Sequence, residues 1–297
     1  MNTLRDALRS EELTLTAELT LTPRDAAGQV VDQAKLLAKS AAAVQIPDHR
    51  HARPHMSNLA VASLLKDHGI APIVHMNCRD RNRIALQSDM LGAVALGVRN
   101  LLLSRGTPLP EDHRPKTTAV FDVGAIDLIA TAAAIRDGEV FVGDASTGAG
   151  DLYIGTVATA FEPPADWEPE KLTSKADAGA QFIQLQICHD LDLLRAYAAR
   201  IVASRLTWRL QLLGALAVIP SAEAGRELRK ARPDSIIPAA VIRRIEQGRD
   251  PEAEGVAIAA EQLQLLAEIP GISGVTLSTP GDPALVPAAV AAAGLRP

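Results

Sequence analysis

Leu13-Thr14-Leu15-Thr16-Ala17-Glu18-Leu19-Thr20-Leu21-Thr22-Pro23-Arg24-Asp25 is the stretch on which the fold turns. Leu15–Thr20, rich in leucine and β-branched threonine, reads as a first strand. In an open doubly wound sheet the first strand usually feeds a glycine-rich turn. Here the turn is Leu21-Thr22-Pro23-Arg24-Asp25, with no glycine. A closed barrel is therefore favoured over an open sheet. Working outward, short apolar runs alternate with amphipathic stretches at roughly 30-residue spacing, the rhythm of repeated βα units. Further strands are expected at Ala42–Ile46, Pro72–Met76, Asn100–Leu103, Leu152–Val157, Phe182–Leu185, Arg209–Leu213 and Gly274–Leu277. The α/β class, as a single (β/α)8 TIM barrel spanning residues 1–297, accommodates them.

Helix punctuation agrees. One helix opens at Ser57-Asn58 and stops at Gly69, another runs from Asp89 to Leu96 before Gly97, and the longest is expected over Pro251–Ile269. In Lys175-Ala176-Asp177-Ala178-Gly179-Ala180-Gln181-Phe182-Ile183-Gln184-Leu185-Gln186 a helix closes on Gly179 and a buried strand ends on a glutamine. Ligands of α/β proteins bind beyond the carboxyl ends of strands, so Gln186 is placed to meet one and Lys175 can reach an anion. The stretches Gly106–Lys116 and Glu162–Glu170 follow strands and are candidate site loops.

Composition narrows the classes. The net charge of −5 argues against nucleic acid as a partner, and aromatic content of 3% leaves few flat stacking surfaces. With no long apolar run and no signal-peptide core, neither a membrane span nor secretion is expected. Cys78 and Cys188 give no disulfide framework, so a cytoplasmic location is the default.

Several residues could carry chemistry. Glu18 interrupts an apolar, threonine-rich strand; near a barrel mouth a partly desolvated carboxylate can donate a proton at neutral pH. It could equally face solvent or form a buried salt bridge. His75-Met76-Asn77-Cys78-Arg79-Asp80-Arg81-Asn82-Arg83 follows the third strand, suited either to binding phosphate or carboxylate or to a solvated helix start capped by Asp80. Asp48-His49-Arg50-His51-Ala52-Arg53-Pro54-His55 lacks the helical spacing and carboxylate set of a zinc site, so no metal is expected. Cys188-His189-Asp190 superficially pairs a nucleophile with a base, but such groups rarely assemble from sequence neighbours. In Ser104-Arg105-Gly106-Thr107 the glycine would let backbone amides approach a ligand.

In this order and spacing, Arg53-Pro54-His55-Met56-Ser57, His75 to Asn82, Gly97-Val98-Arg99-Asn100 through Arg105-Gly106, and Lys175 to Ala180 resemble the methylenetetrahydrofolate reductase family, particularly short bacterial forms. The resemblance runs from about Glu18 to Gly294, more weakly through Ile154-Gly155 and Pro270 to Val275. It implies a barrel that reduces 5,10-methylenetetrahydrofolate to 5-methyltetrahydrofolate, with FAD relaying hydride from NADH or NADPH. Glu18 would be the acid that protonates N10, and Gln186 would bond the pterin. Thr107 and Asp48 would lie beside the folate. His75, Asn77, Cys78, Arg79, Asp80, Arg105 and Gly106 would line the flavin site, with Lys175 at its phosphates. A homo-oligomer is the usual state of such barrels. Two departures stand out: Thr107 replaces the family's aspartate, and Leu19-Thr20-Leu21-Thr22-Pro23 replaces an aromatic, double-proline strand ending. Thr107 keeps open a folate-dependent demethylation or methyl-transfer component, or a non-catalytic folate-binding subunit, without flavin chemistry.

Overall fold

The computed structural model describes residues 3–49, 52–139 and 151–295. Eight parallel strands close in sequence order into a barrel: β1 (Thr14–Glu18), β2 (Ala43–Ile46), β3 (Pro72–Asn77), β4 (Asn100–Ser104), β5 (Tyr153–Ala158), β6 (Phe182–Ile187), β7 (Gln211–Ala217) and β8 (Ile272–Ser278). β1 closes the ring on β8, Thr16 beside Thr276. This is a (β/α)8 TIM barrel.

The strands lie where the apolar runs place them, with one larger displacement. The run expected at Arg209–Leu213 begins at Gln211 and continues to Ala217, because Arg209 and Leu210 still bond back to Leu206 at the end of a 3-10 turn. Gly214 does not end the strand, since it pairs with Val275 of β8. A parallel strand buried on both faces needs no alternation to continue.

The connecting helices are α1 (Leu4–Leu8), α2 (Ala27–Leu37), α3 (Asn58–Asp67), α4 (Arg83–Ala95), α5 (Ala125–Arg136), α6 (Glu170–Asp177), α7 (Leu191–Ala203), α8 (Ala222–Ala231), α9 (Ala239–Gln247), α10 (Pro251–Ala267) and α11 (Leu285–Ala292). α4 starts six residues before the expected Asp89, because the Asn82 side chain accepts from Ala85 N at 3.0 Å and caps it there. α3 and α6 end on Gly69 (φ +72°) and Gly179 (φ +113°), as their punctuation implies. Among the described residues no helix is long and apolar enough to cross a membrane.

Inside the barrel the side chains form layers. At the amino-terminal end, Leu4 and Leu8 of α1 enter an apolar cluster with Ile73, Leu102, Tyr153 and Phe182. Gly155 makes room for it: a Cβ there would lie 2.1 Å from the Phe182 ring. A second layer is polar, built from Thr16, Gln45, His75, Gln184 and Thr276. Above it, at the carboxyl ends of the strands, the barrel opens.

Candidate functional site

The opening is a cavity of about 540 Å³ with His75, Gln184 and Thr276 of the polar layer at its base. Such a volume suits a small-molecule or cofactor site. Glu18, Asp48, Asn77, Arg79, Arg105 and Gly106 border it, as do Thr107, Lys175 and Gln186. Ten of the twelve residues singled out from sequence, with His75, thus meet at one mouth; Cys78 and Asp80 do not border it.

Glu18, the last residue of β1, is 8% exposed, and its Oε1 accepts from Arg232 Nη2 at 3.0 Å. It is both a carboxylate at the mouth and a member of an ion pair. Arg232 arrives on a strap that follows α8 and crosses to β6. There Ile236 N donates to Ile187 O at 2.8 Å and His189 N to Ile236 O at 2.7 Å. Sequence reasoning missed Arg232; only the turn-forming Arg232-Pro233-Asp234-Ser235 hinted that the chain reverses there.

The arginine-rich run after β3 is tied down by carboxylates. Arg79 is buried, forks onto Asp80 with two contacts of 2.7 Å, and donates to His49 O at 2.8 Å. Burial pushes the Asp80 carboxyl up, but the Arg79 hydrogen bonds and charge outweigh it and leave the group below the usual range. Arg81 bridges Asp48 and Asp89. Asp48 also accepts from Asn77 N at 2.7 Å and Asn77 Nδ2 at 2.6 Å. Burial raises the Asp48 carboxyl, against the pull of Arg81 and the Asn77 amide. Asp80 is therefore a clamp on Arg79 and not the helix cap, which is Asn82. Of these arginines, Arg79 borders the cavity.

Two other cations keep their charge available. Arg105 lies 4.5 Å above the Phe121 ring, and Lys175 donates to Val157 O at 2.5 Å. Neither has a carboxylate partner among the described residues. Burial, then the nearby Lys171, lowers the Lys175 ammonium. Next to Arg105, Gly106 holds φ +80°, and a Cβ there would stand 2.9 Å from Asn77 Oδ1, so the position demands glycine.

The glutamine at the end of β6 is otherwise engaged. Gln186 Oε1 accepts from Ala160 N at 2.7 Å and its Nε2 donates to Ala160 O at 3.0 Å, zipping the segment after β5 to the barrel. Neither loop candidate contributes broadly: Gly106 and Thr107 border the cavity, whereas Trp167 packs against Phe161 and Tyr197 on α7.

Neither thiol borders the cavity. Cys78 and Cys188 are fully buried, and burial pushes each up to about 11. His189 turns from Cys188 to Gln262, with Nδ1 2.7 Å from Oε1, while its Nε2 accepts from Ala217 N at 3.3 Å. Burial drives this ring down to about 4, so it is neutral at pH 7. In the histidine-rich loop, His55 accepts from His49 N and faces Met56 O, which leaves no ligand pair; Arg50 and His51 lie outside the described residues. Among the described residues, no three or more His, Cys, Asp or Glu side chains could hold a metal ion.

Comparison with known proteins matches residues 3–279 to a family described as methylenetetrahydrofolate reductase. No curated protein matches. Among solved structures, an uncharacterized protein from Clostridium thermocellum, which binds two copies of 5-methyl-5,6,7,8-tetrahydrofolic acid, superposes with a TM-score of 0.62 at 12% identity. The match covers 97% of this chain and 96% of that one. At that identity the likeness shows a shared fold.

Proposed function

The chain belongs to the methylenetetrahydrofolate reductase family, and from that premise we propose that its barrel mouth binds a reduced folate and reduces 5,10-methylenetetrahydrofolate to 5-methyltetrahydrofolate, with NADH or NADPH as hydride source and FAD as relay. The observation that carries this reading is Glu18, a nearly buried carboxylate opening on the cavity and held by Arg232. The folate held by the Clostridium thermocellum neighbour supports the substrate class.

In the substrate one carbon bridges N5 and N10. Protonation of N10 breaks the bond from that carbon to N10 and leaves an N5 iminium, whose carbon accepts hydride to become the methyl group. Glu18, having taken up a proton from solvent at the mouth, would deliver it to N10, and Arg232 would pair with the carboxylate left behind. The residues at the rim fit FAD. Arg105 and Lys175 lack carboxylate partners and can meet its diphosphate, and Gly106 lets the backbone approach closely. When bound, a flavin supplies the hydride relay.

Glu18→Gln is expected to lower folate reduction by about 100-fold or more, within the range of general-acid effects, while flavin-dependent NAD(P)H oxidation persists. Stopped-flow measurement of the two half-reactions checks this. If both fall together, the role of Glu18 is wrong. Thr107, neutral where the family resemblance expects aspartate, favours a second reading, in which the mouth binds folate without reducing it. Tight 5-methyltetrahydrofolate binding by a colourless protein that FAD cannot reconstitute would select that alternative.

A further inference from the structure

Beneath the mouth, the polar layer fixes how its side-chain amides point. Gln45 Nε2 lies 2.6 Å from Gln184 Oε1, 2.9 Å from Thr276 Oγ1 and 3.0 Å from Thr16 Oγ1. Its Oε1 faces His75 Nε2 at 3.0 Å. Thr276 Oγ1 donates to the same Gln184 Oε1 at 2.9 Å, and the two threonine hydroxyls lie 2.9 Å apart. The hydrogens find consistent places: His75 donates to Gln45, Gln45 donates to Gln184 and to the threonine pair, Thr16 donates to Thr276, and Thr276 donates to Gln184. With the amides placed so, Gln184 Oε1 accepts twice, which leaves its Nε2 as the end free to meet the cavity. The residue is only 8% exposed, and that Nε2 has no partner among the described residues. A donor at the base of the cavity with no acceptor from the chain is open to one supplied by a ligand. Gln186, two residues on, cannot take this role without releasing both of its bonds to Ala160.

The geometry points to Gln184 as the residue that reads the ring of the ligand, through an Nε2–H donated to a ring carbonyl such as the 4-oxo group of a reduced pterin. This rests on the folate reading above and deepens it. The assignment is one of polarity: the network turns a donor upward, so the site selects an acceptor at that ring position. A 4-amino group there would set donor against donor. Gln184→Glu keeps an oxygen for Gln45 and Thr276 but turns an acceptor toward the cavity, which inverts the preference.

Calorimetric titration with tetrahydrofolate and tetrahydroaminopterin, which differ in the 4-oxo against 4-amino group, tests this directly. The wild-type protein is expected to favour tetrahydrofolate by about tenfold or more, the scale of one buried donor left unsatisfied. Gln184→Glu should move that ratio by about tenfold or more toward the amino analogue, and Gln186→Glu should leave it nearly unchanged. A ratio of two affinities in one protein does not depend on how stable the variant is. An unchanged ratio in Gln184→Glu, or an equal shift in Gln186→Glu, overturns the assignment while the folate reading stands. A wild-type protein that binds neither compound overturns both.

Discussion

His189 shows what a single buried ring contributes. It is 4% exposed, it donates to Gln262 and accepts from Ala217, and burial holds it neutral down to about pH 4. In the unfolded chain the same ring takes up a proton near pH 6.5. Between those values the unfolded state binds more protons, so stability declines as pH falls from about 6.5 to about 4. This one group accounts for about 3 kcal/mol of that decline. Urea unfolding at several pH values is expected to show a slope of about one proton in this window, removed in His189→Gln. A slope unaffected by the substitution would refute the assignment. Cys188-His189-Asp190 could not disclose this from sequence, because Gln262 is seventy-three residues away and arrives only through α10. Glu18 was legible as a charge in an apolar strand, but Arg232 and Gln184 were not, since their meaning lies in partners from other strands.

At the scale of elements, α10 docks where the chain lacks a side chain. A Cβ on Gly255 would lie 1.8 Å from the carbonyl oxygen of Ile219, so at this point the helix backbone comes directly against the chain just after β7. Gly255→Ala is expected to cost about 3 kcal/mol or more, since neither a helix backbone nor a carbonyl can yield that far. Thermal melting measures it, and an unchanged melting temperature would count against this packing. The strands themselves were readable because a parallel barrel buries both faces of each and writes them as apolar runs. Their ends were less so: Gly214 looks like an interruption but lies within the ladder, and the 3-10 turn at Leu206–Trp208 delays the start of β7.

At the scale of the whole molecule, the apolar plug and the candidate site occupy opposite ends of the barrel. Leu8 is 1% exposed within the lower apolar layer, with the polar layer and the mouth above it. Leu8→Ala is expected to lower unfolding free energy by about 3 kcal/mol through the hole it leaves. Tetrahydrofolate affinity should stay the same, and calorimetry on the folded variant checks this. The closed-barrel topology followed from the order of the runs and the missing glycine after the first strand, while the filling of its interior waited on distances. The plug formed by α1 has one more consequence, which concerns traffic. With its lower end stopped by Leu4 and Leu8, the barrel is a cul-de-sac, and whatever settles on the floor has the mouth as its way out. A molecule resting on Gln184 must depart after anything lodged above it, so arrivals and departures queue in last-in, first-out order.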